Sequence, residues 1–531
     1  RAEPRSVACR LILRWRAVAS LEVAVEVLQG RMLNPSLSVS TVEIKTKIRY
    51  NVLRQLLKRR AKMIIGREKE QKKLLEAEQS SKSEFVAVFG RRRVGKTYLI
   101  RETFKDRFCF YHTGLANAGM SRQLSEFKKT LCRYCDRKFR TPQDWFEAFD
   151  FLRDVIELEK PGKKIVFLDE LPWMDTAKSS FVSALEHFWN GWASGRDDVV
   201  LIVCGSATSW IINKVLNDHG GLHNRVTKRI PLRPFSLNEC EKFVRQKGIV
   251  LKRLQLLEYY MIFGGIPYYW EQLEKGESVS QCVDRVLFDE EGELHHEFDR
   301  LYASLFRKPA SYISIVTALG MRKIGMTREE LAKSARQKLN GRFSERLLEL
   351  EQCGFIRKYA PPGHLSRDSV YQLIDNFTLF YFKFMQGRST AADEWAHVSN
   401  SQPGRIWCGL AFERVCLQHV EQIKAALGIA DVRTEAYGWR MSSETGGAQI
   451  DLVLVRDDRV VNLCEMKYTN GEYVIDEDYE RQLRNKVDAY QRETGTEDTI
   501  LLTMVTARGL KANAYSSCVQ KELVAEDLFR E

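Results

Sequence analysis

Short, unbroken apolar runs alternate with longer stretches of helical spacing through the first half of the chain. Residues 85–89 (FVAVF), 163–170 (KKIVFLDE) and 199–204 (VVLIVC) are the apolar runs. Strands with no polar alternation are buried on both faces, as in a parallel sheet sandwiched by helices. Residues 108–112 predict a further short strand and 228–232 a fifth. Between them, 121–134 is amphipathic, and 145–158 sets Phe146, Phe149, Leu152 and Ile156 at helical spacing. The pattern predicts an α/β domain.

The rhythm changes after residue 305. Segments 312–319, 327–334 (capped by T-R-E-E) and 341–352 predict three helices. Two strands follow, 354–359 and 369–373, around a Pro361-Pro362-Gly363-His364 loop. Three helices and a β-wing predict a winged helix, with Arg336, Lys338, Arg342 and Arg346 as candidate phosphate contacts for DNA. From residue 404 a last domain begins. A helix over 406–426 precedes a hairpin of 449–455 and 460–467, closed by a tight turn at 456–459.

The first strand runs into G-R-R-R-V-G-K-T, residues 90–97, which fits the phosphate-binding P-loop pattern G-x-x-x-x-G-K-[ST]. Gly90 and Gly95 permit the torsions that turn successive amides, those of Arg91, Arg92, Arg93 and Val94 among them, onto an anion. Lys96 can reach the β- and γ-phosphates, and the Thr97 hydroxyl can hold Mg²⁺. The helix that continues through Tyr98 presents its positive end to the phosphates. Strand 163–170 closes on Asp169, a second support for the Mg²⁺, and Glu170, placed to orient and deprotonate water. Ser206, just past the fourth strand, can sense the γ-phosphate or align water; capping a helix is its bland alternative. Arg225 can neutralise transition-state charge, in cis or from a neighbouring subunit, with Arg229 competing for the role.

The C-terminal hairpin carries a second set. Asp451 stands on one strand, and Glu465 and Lys467 project from one face of the other. Two carboxylates and an ammonium can bind Mg²⁺, activate water and steady a pentavalent phosphate. This D…E-x-K arrangement, with Glu413 as a helical carboxylate, is the signature of restriction-endonuclease-like, PD-(D/E)XK nucleases.

Composition changes the picture only at the N-terminus. Of the formal net charge of +13, residues 1–62 hold +10, with fourteen Lys and Arg against four Asp and Glu. Global basicity therefore says little about the folded body. The segment is expected to be a poorly ordered, non-native extension, with 63–68 (MIIGRE) as the natural beginning; a transit peptide is the alternative. No apolar run is long enough to span a bilayer. Cys132 and Cys135 lack the second half of a zinc site, which leaves reduced thiols in a cytoplasmic protein.

GRRRVGKT, FLDELPW, CGSATSW, RPFSLNE and FGGIPYYW, in this order, resemble the archaeal-type P-loop ATPases of the AAA-like, signalling-ATPase branch. The stretch YQLIDNFTLFYFKF resembles the segment closing that family's winged helix. The resemblance implies a sheet of order 5-1-4-3-2, with Asp169 and Glu170 on the strand beside the P-loop strand. It also implies ATP as the nucleotide, a helical lid, and a C-terminal nuclease-like domain; Gln449 stands where an acidic residue often precedes Ile-Asp. The expected divisions are extension 1–62, ATPase core 63–234, lid 235–304, winged helix 305–385, linker 386–403 and restriction-endonuclease-like domain 404–531. ATP hydrolysis coupled to a DNA-binding, nuclease-like module is the expected function. A nucleotide-gated switch or scaffold with a silent C-terminal domain is the alternative, and homo-oligomerisation is left open.

Overall fold

In the computed structural model, residues 64–531 are described apart from positions 136, 160, 218–221, 223, 307, 323–324, 360–368, 388–393 and 442–447. The extension 1–62 and the loop at 361–364 lie outside the described residues. The chain divides into two units, 1–64 and 65–531. Among the described residues, every helix and strand belongs to the second.

Strand β1 (Glu84–Phe89) follows helix α1 (Glu68–Gln79), and the loop after β1 feeds α2 (Lys96–Thr103). Then come β2 (Phe108–Thr113), α3 (Met120–Tyr134), α4 (Trp145–Leu158), β3 (Lys164–Asp169), α5 (Phe181–Gly191), β4 (Val199–Gly205) and β5 (Lys228–Pro231). The strands pair in parallel in the order β2-β3-β4-β1-β5, as expected. Both β3 and β4 are buried along their whole length, which is why they show no polar alternation. One face of the sheet packs under α3, α4 and α5 through Phe110, Phe127, Trp145, Phe149, Phe181 and Trp189.

This order corrects one expectation. Asp169 and Glu170 do not follow the strand beside the P-loop strand: β4 lies between β1 and β3. The site still assembles because α2 packs against β4, carrying its first turn toward the end of β3. The carboxyl ends also align, with Phe89 opposite Gly205 and Leu168 opposite Val203. Open α/β sheets bind ligands along that edge.

Helices α6 (Leu237–Gln246), α7 (Arg253–Phe263) and α8 (Glu297–Leu305) form the segment after the sheet. Ser236 and Glu239 cap α6 reciprocally. Next come α9 (Pro309–Gly320), β6 (Met326–Thr327), α10 (Arg328–Ser334), α11 (Gly341–Gln352), β7 (Ile356–Tyr359) and β8 (Val370–Leu373). Their antiparallel sheet has the order β6-β8-β7. Two strands were expected; β6, at two residues, is too short to leave a periodic trace.

In the C-terminal part, α12 (Gln402–Gln418) and α13 (Val420–Ala426) replace the single expected helix. His419 interrupts it, its ring turned into the core. Strands β9 (Thr434–Met441), β10 (Ala448–Arg456), β11 (Val460–Lys467), β12 (Thr499–Thr506) and β13 (Lys521–Val524) form a mixed sheet in the order β13-β12-β11-β10-β9. Helix α14 (Glu477–Thr494) joins β11 to β12. The expected β10–β11 hairpin is present, antiparallel, with Leu452 opposite Cys464.

Candidate functional site

The loop after β1 is shaped by its own backbone. Gly90 has φ 151°, and a Cβ there would lie 2.2 Å from the carbonyl oxygen of Leu232, a backbone atom that cannot yield. Gly95 (φ 90°) leads into α2 from the left-handed region, as an N-terminal anion cradle requires. Lys96 is buried, and its Nζ donates to the carbonyls of Gly90 (2.9 Å) and Arg91 (3.0 Å). Burial holds its pKa below the ordinary lysine range, although Glu170 and Asp169 favour the charge. An anion set among these amides would relieve that cost.

Thr97 donates its hydroxyl to Asp169, 3.0 Å from Oδ2. Asp169 also accepts from the Cys204 thiol and, at 2.9 Å, from the Glu170 amide. Burial raises the Asp169 pKa despite these donors. Glu170 takes a left-handed backbone (φ 50°), an uncommon conformation for a side-chain-bearing residue and one that clusters at functional sites. Its Oε2 accepts from the amide (3.1 Å) and the hydroxyl (2.9 Å) of Ser206. A hydroxyl beside a carboxylate is a donor set that suits Mg²⁺. Ser206 therefore holds Glu170; sequence spacing alone did not show that link, nor the part of Cys204.

Two of the three loop arginines have their side chains engaged elsewhere. Arg91 is buried, ion-paired to Asp375 and stacked on Phe355, its guanidinium carbon 4.4 Å from the ring centre. Burial opposes its charge, and Asp375 more than offsets that, so its pKa stands above the ordinary range. Arg93 (φ 68°) pairs with Glu297 at 2.5 Å and lies 4.1 Å from the centre of the Tyr268 ring. Tyr98 is largely exposed. Arg225 and Arg229 are both exposed, and Arg229 donates to the carbonyl of Leu216. The described chain does not bring either arginine to Glu170.

The second centre is bound differently. Asp451 Oδ2 accepts from the Met466 amide at 3.0 Å. Glu465 is only 1% exposed, and its Oε1 accepts from Lys486 Nζ at 2.6 Å. Its Oε2 accepts from the Tyr479 hydroxyl (3.3 Å) and lies 3.9 Å from Lys467 Nζ. Burial, then Asp451, raises the Glu465 pKa, with Lys486 and Lys467 pulling the other way. No motif marked Lys486 or Tyr479; they arrive from α14, outside the hairpin. Glu413 and Asp451 line one cavity of about 610 Å³, together with Arg357, Trp407 and Arg414. Among the described residues no group of three or more His, Cys, Asp or Glu is disposed to hold a metal ion.

On the candidate DNA-facing helix α11, Arg342 is exposed, as are Arg336 and Lys338 before it. Arg346 is instead tied to Gln337 at 2.8 Å. Among the described residues no helix is long and apolar enough to cross a membrane.

Residues 64–273 match a family described as an ATPase domain predominantly from Archaea. An uncharacterized protein of Methanocaldococcus jannaschii is 25% identical over 413 residues, spanning 76% of this chain and 88% of that protein. Among solved structures, the Walker-type ATPase of Pyrococcus abyssi is similar at 19% identity and a TM-score of 0.46, covering 60% of this chain and 96% of that one. The Aeropyrum pernix ORC2 protein, in its ADPNP–ADP complexes, is similar at 14% identity and a TM-score of 0.37, covering 60% of this chain and 92% of that one. The family match coincides with the parallel sheet, the glycine-shaped loop and the Thr97–Asp169 pair: residues 64–273 form a P-loop ATPase domain.

Proposed function

We propose that this chain is a Mg²⁺-dependent ATPase that drives a DNA-binding, nuclease-like C-terminal module. The observation that carries the ATPase half is the Thr97–Asp169 contact at 3.0 Å beside a Glu170 held by Ser206. The amides from Arg91 to Thr97 bind the phosphates, and Lys96 exchanges its two carbonyl contacts for β- and γ-phosphate oxygens. Thr97 and Asp169 would hold Mg²⁺, which neutralises charge on the phosphate oxygens. With Oε2 fixed by Ser206, Glu170 turns Oε1 to the attacking water and takes its proton. The water oxygen bonds to the γ-phosphorus as the bond to the β-bridging oxygen breaks, giving ADP and phosphate. Arg225 acts, in this reading, from a neighbouring subunit.

For the C-terminal half, the segment 305–385 is read as a winged helix presenting Arg336, Lys338 and Arg342 to phosphates. The domain from 404 is read as restriction-endonuclease-like, with Asp451, Glu465 and Lys467 at its centre and Glu413 beside them. The decisive experiment is Mg²⁺-dependent cleavage of supercoiled plasmid with and without ATP. Asp451→Ala and Lys467→Ala should abolish nicking and leave ATP hydrolysis intact. Undiminished nicking in both variants removes the nuclease assignment.

One observation favours the second reading, a nucleotide-gated switch with a silent C-terminal domain. Lys486 already neutralises Glu465 at 2.6 Å, in the place where a divalent cation would compete for that carboxylate. Slow turnover insensitive to DNA, without nicking, is the result this reading expects.

A further inference from the structure

The P-loop pattern leaves its four middle positions free, yet two of them are anchored at long range. Arg91 pairs with Asp375, 284 positions later, and both side chains are buried. Such a pair is costly to desolvate, and breaking it by removing one partner costs more than forming it gains. Arg91 keeps two further guanidinium nitrogens, Nε and Nη2, buried against the face of Phe355 and without hydrogen-bond partners among the described residues. A loop needed only to wrap phosphates has no use for this arrangement.

The connections continue past Asp375. Its other carboxylate oxygen accepts from the amide of Thr378 (2.9 Å), capping the short helix Asn376–Phe380. Asn376, next in line, donates to the carbonyl of Tyr260 in α7 at 2.8 Å. Gln418, the last residue of α12, donates to the carbonyl of Ile374 (3.1 Å) and to Asn376 Oδ1 (3.3 Å). One chain of contacts thus leads from the phosphate loop to the helix that carries Glu413. The second arm is shorter. Arg93 meets Glu297, whose Oε1 accepts from the Tyr269 hydroxyl at 2.8 Å, and Arg93 also covers Tyr268. Both tyrosines belong to the FGGIPYYW stretch after α7.

We propose that Asp375 and Glu297 are positioning residues for the phosphate loop, acting through Arg91 and Arg93, and that the Arg91–Asp375–Asn376–Gln418 chain links nucleotide occupancy to the placement of α12. The inference rests on the reading of the loop as a nucleotide site. Because the link is thermodynamic, it is reciprocal: what loosens the far end alters nucleotide affinity, and nucleotide alters the far end. The Arg93 arm ends in the α7–α8 region and does not reach α12, so the two arms have separable consequences.

The test combines binding of a fluorescent ATP analogue with Mg²⁺ and hydrogen exchange over residues 402–418, with and without that analogue. In the wild-type chain, nucleotide should change exchange over 402–418. Asp375→Asn should shift the dissociation constant by about fivefold or more, the lower range of site–site coupling, and erase the exchange response. Glu297→Gln should shift affinity by a similar factor and keep the response. Gln418→Ala, at an exposed helix end, should shift affinity in the same direction as Asp375→Asn, by a smaller factor, and lose the response. Wild-type affinity in both Asp375→Asn and Glu297→Gln overturns the proposal. So does a wild-type chain that binds nucleotide with no exchange response at 402–418, or a Gln418→Ala variant that retains it. A wild-type chain that binds no nucleotide instead overturns the underlying reading, and this one with it.

Discussion

Two acidic centres sit in this chain, and they are balanced in opposite ways. At the first, Asp169 and Glu170 are held by neutral donors: the hydroxyls of Thr97 and Ser206, the Cys204 thiol and two amides. The nearby cation, Lys96, spends its hydrogen bonds on carbonyls. At the second, the most buried carboxylate, Glu465, is met by Lys486 at 2.6 Å and faces Lys467 at 3.9 Å. Neutral donors orient a carboxylate and leave its charge to be used; an ammonium within hydrogen-bond reach cancels it. In the proposed reading, the first centre receives a cation together with its anion. The second supplies its own cation, so external metal must displace or share with Lys486.

The largest test of this contrast is Lys96→Ala. Removing the only loop ammonium should weaken ATP binding by about three orders of magnitude, or about 4 kcal/mol, as expected when a buried, charge-assisted hydrogen bond is deleted. Equilibrium binding of labelled ATP reads it directly. Binding within tenfold of wild type would mean that the loop amides alone hold the phosphates.

Glu170→Gln comes next. It keeps the shape and the Ser206 bonds but removes the base, so kcat for phosphate release should fall by about 10²–10⁴, with nucleotide affinity preserved. Wild-type turnover would move the base elsewhere and leave Glu170 as a structural corner.

Lys486→Met sharpens the other side. It leaves Glu465 buried beside Asp451 without its closest counter-ion, so the variant should lose about 3 kcal/mol of stability in chelator. Millimolar Mn²⁺ should restore much of that, and thermal melts with and without the ion measure both effects. If Mn²⁺ leaves the melting of the variant unchanged, the second centre is an internal ion pair and not a metal site.

Much of this contrast was legible in the sequence, and the exception is instructive. The three central strands, β1, β3 and β4, follow from unbroken apolar runs, because burial on both faces writes itself into nearly every position, whereas the edge strands β2 and β5 are only partly buried. The P-loop is legible because its glycines answer to local geometry: at Gly90 any side chain meets the Leu232 carbonyl. Asp451, Glu465 and Lys467 can be named as one candidate set from the sequence because one hairpin carries them. What stayed hidden depends on partners remote in the chain. Asp375 and Glu297 on the loop arginines, Ser206 on Glu170, and Lys486 on Glu465 obey no spacing rule. The misplacement of Asp169 beside the P-loop strand has a different origin: the expected order 5-1-4-3-2, which the sheet has, already sets β4 between β1 and β3.

The smallest expected effect lies where the two halves meet. His419, buried at the break between α12 and α13, accepts from the Leu237 amide at Nε2 (3.0 Å) and faces the Val415 carbonyl at Nδ1 (2.8 Å). The ring is therefore neutral, with its proton on Nδ1, and burial pushes its pKa down to about 4 from 6.5. Protonation would replace an acceptor by a donor facing an N–H. The unfolded chain takes up this proton below about pH 6.5 and the folded chain only near pH 4, so the contribution is complete above pH 6.5 and drains away as pH falls toward 4. His419→Gln should destabilise at pH 8, and the gap to wild type in urea unfolding should narrow by about 2 kcal/mol at pH 5. Raised carboxylates elsewhere titrate in both chains and cancel from that difference. A gap independent of pH would show that the ring titrates alike in the folded and unfolded chains, and so is not held neutral against the Leu237 amide.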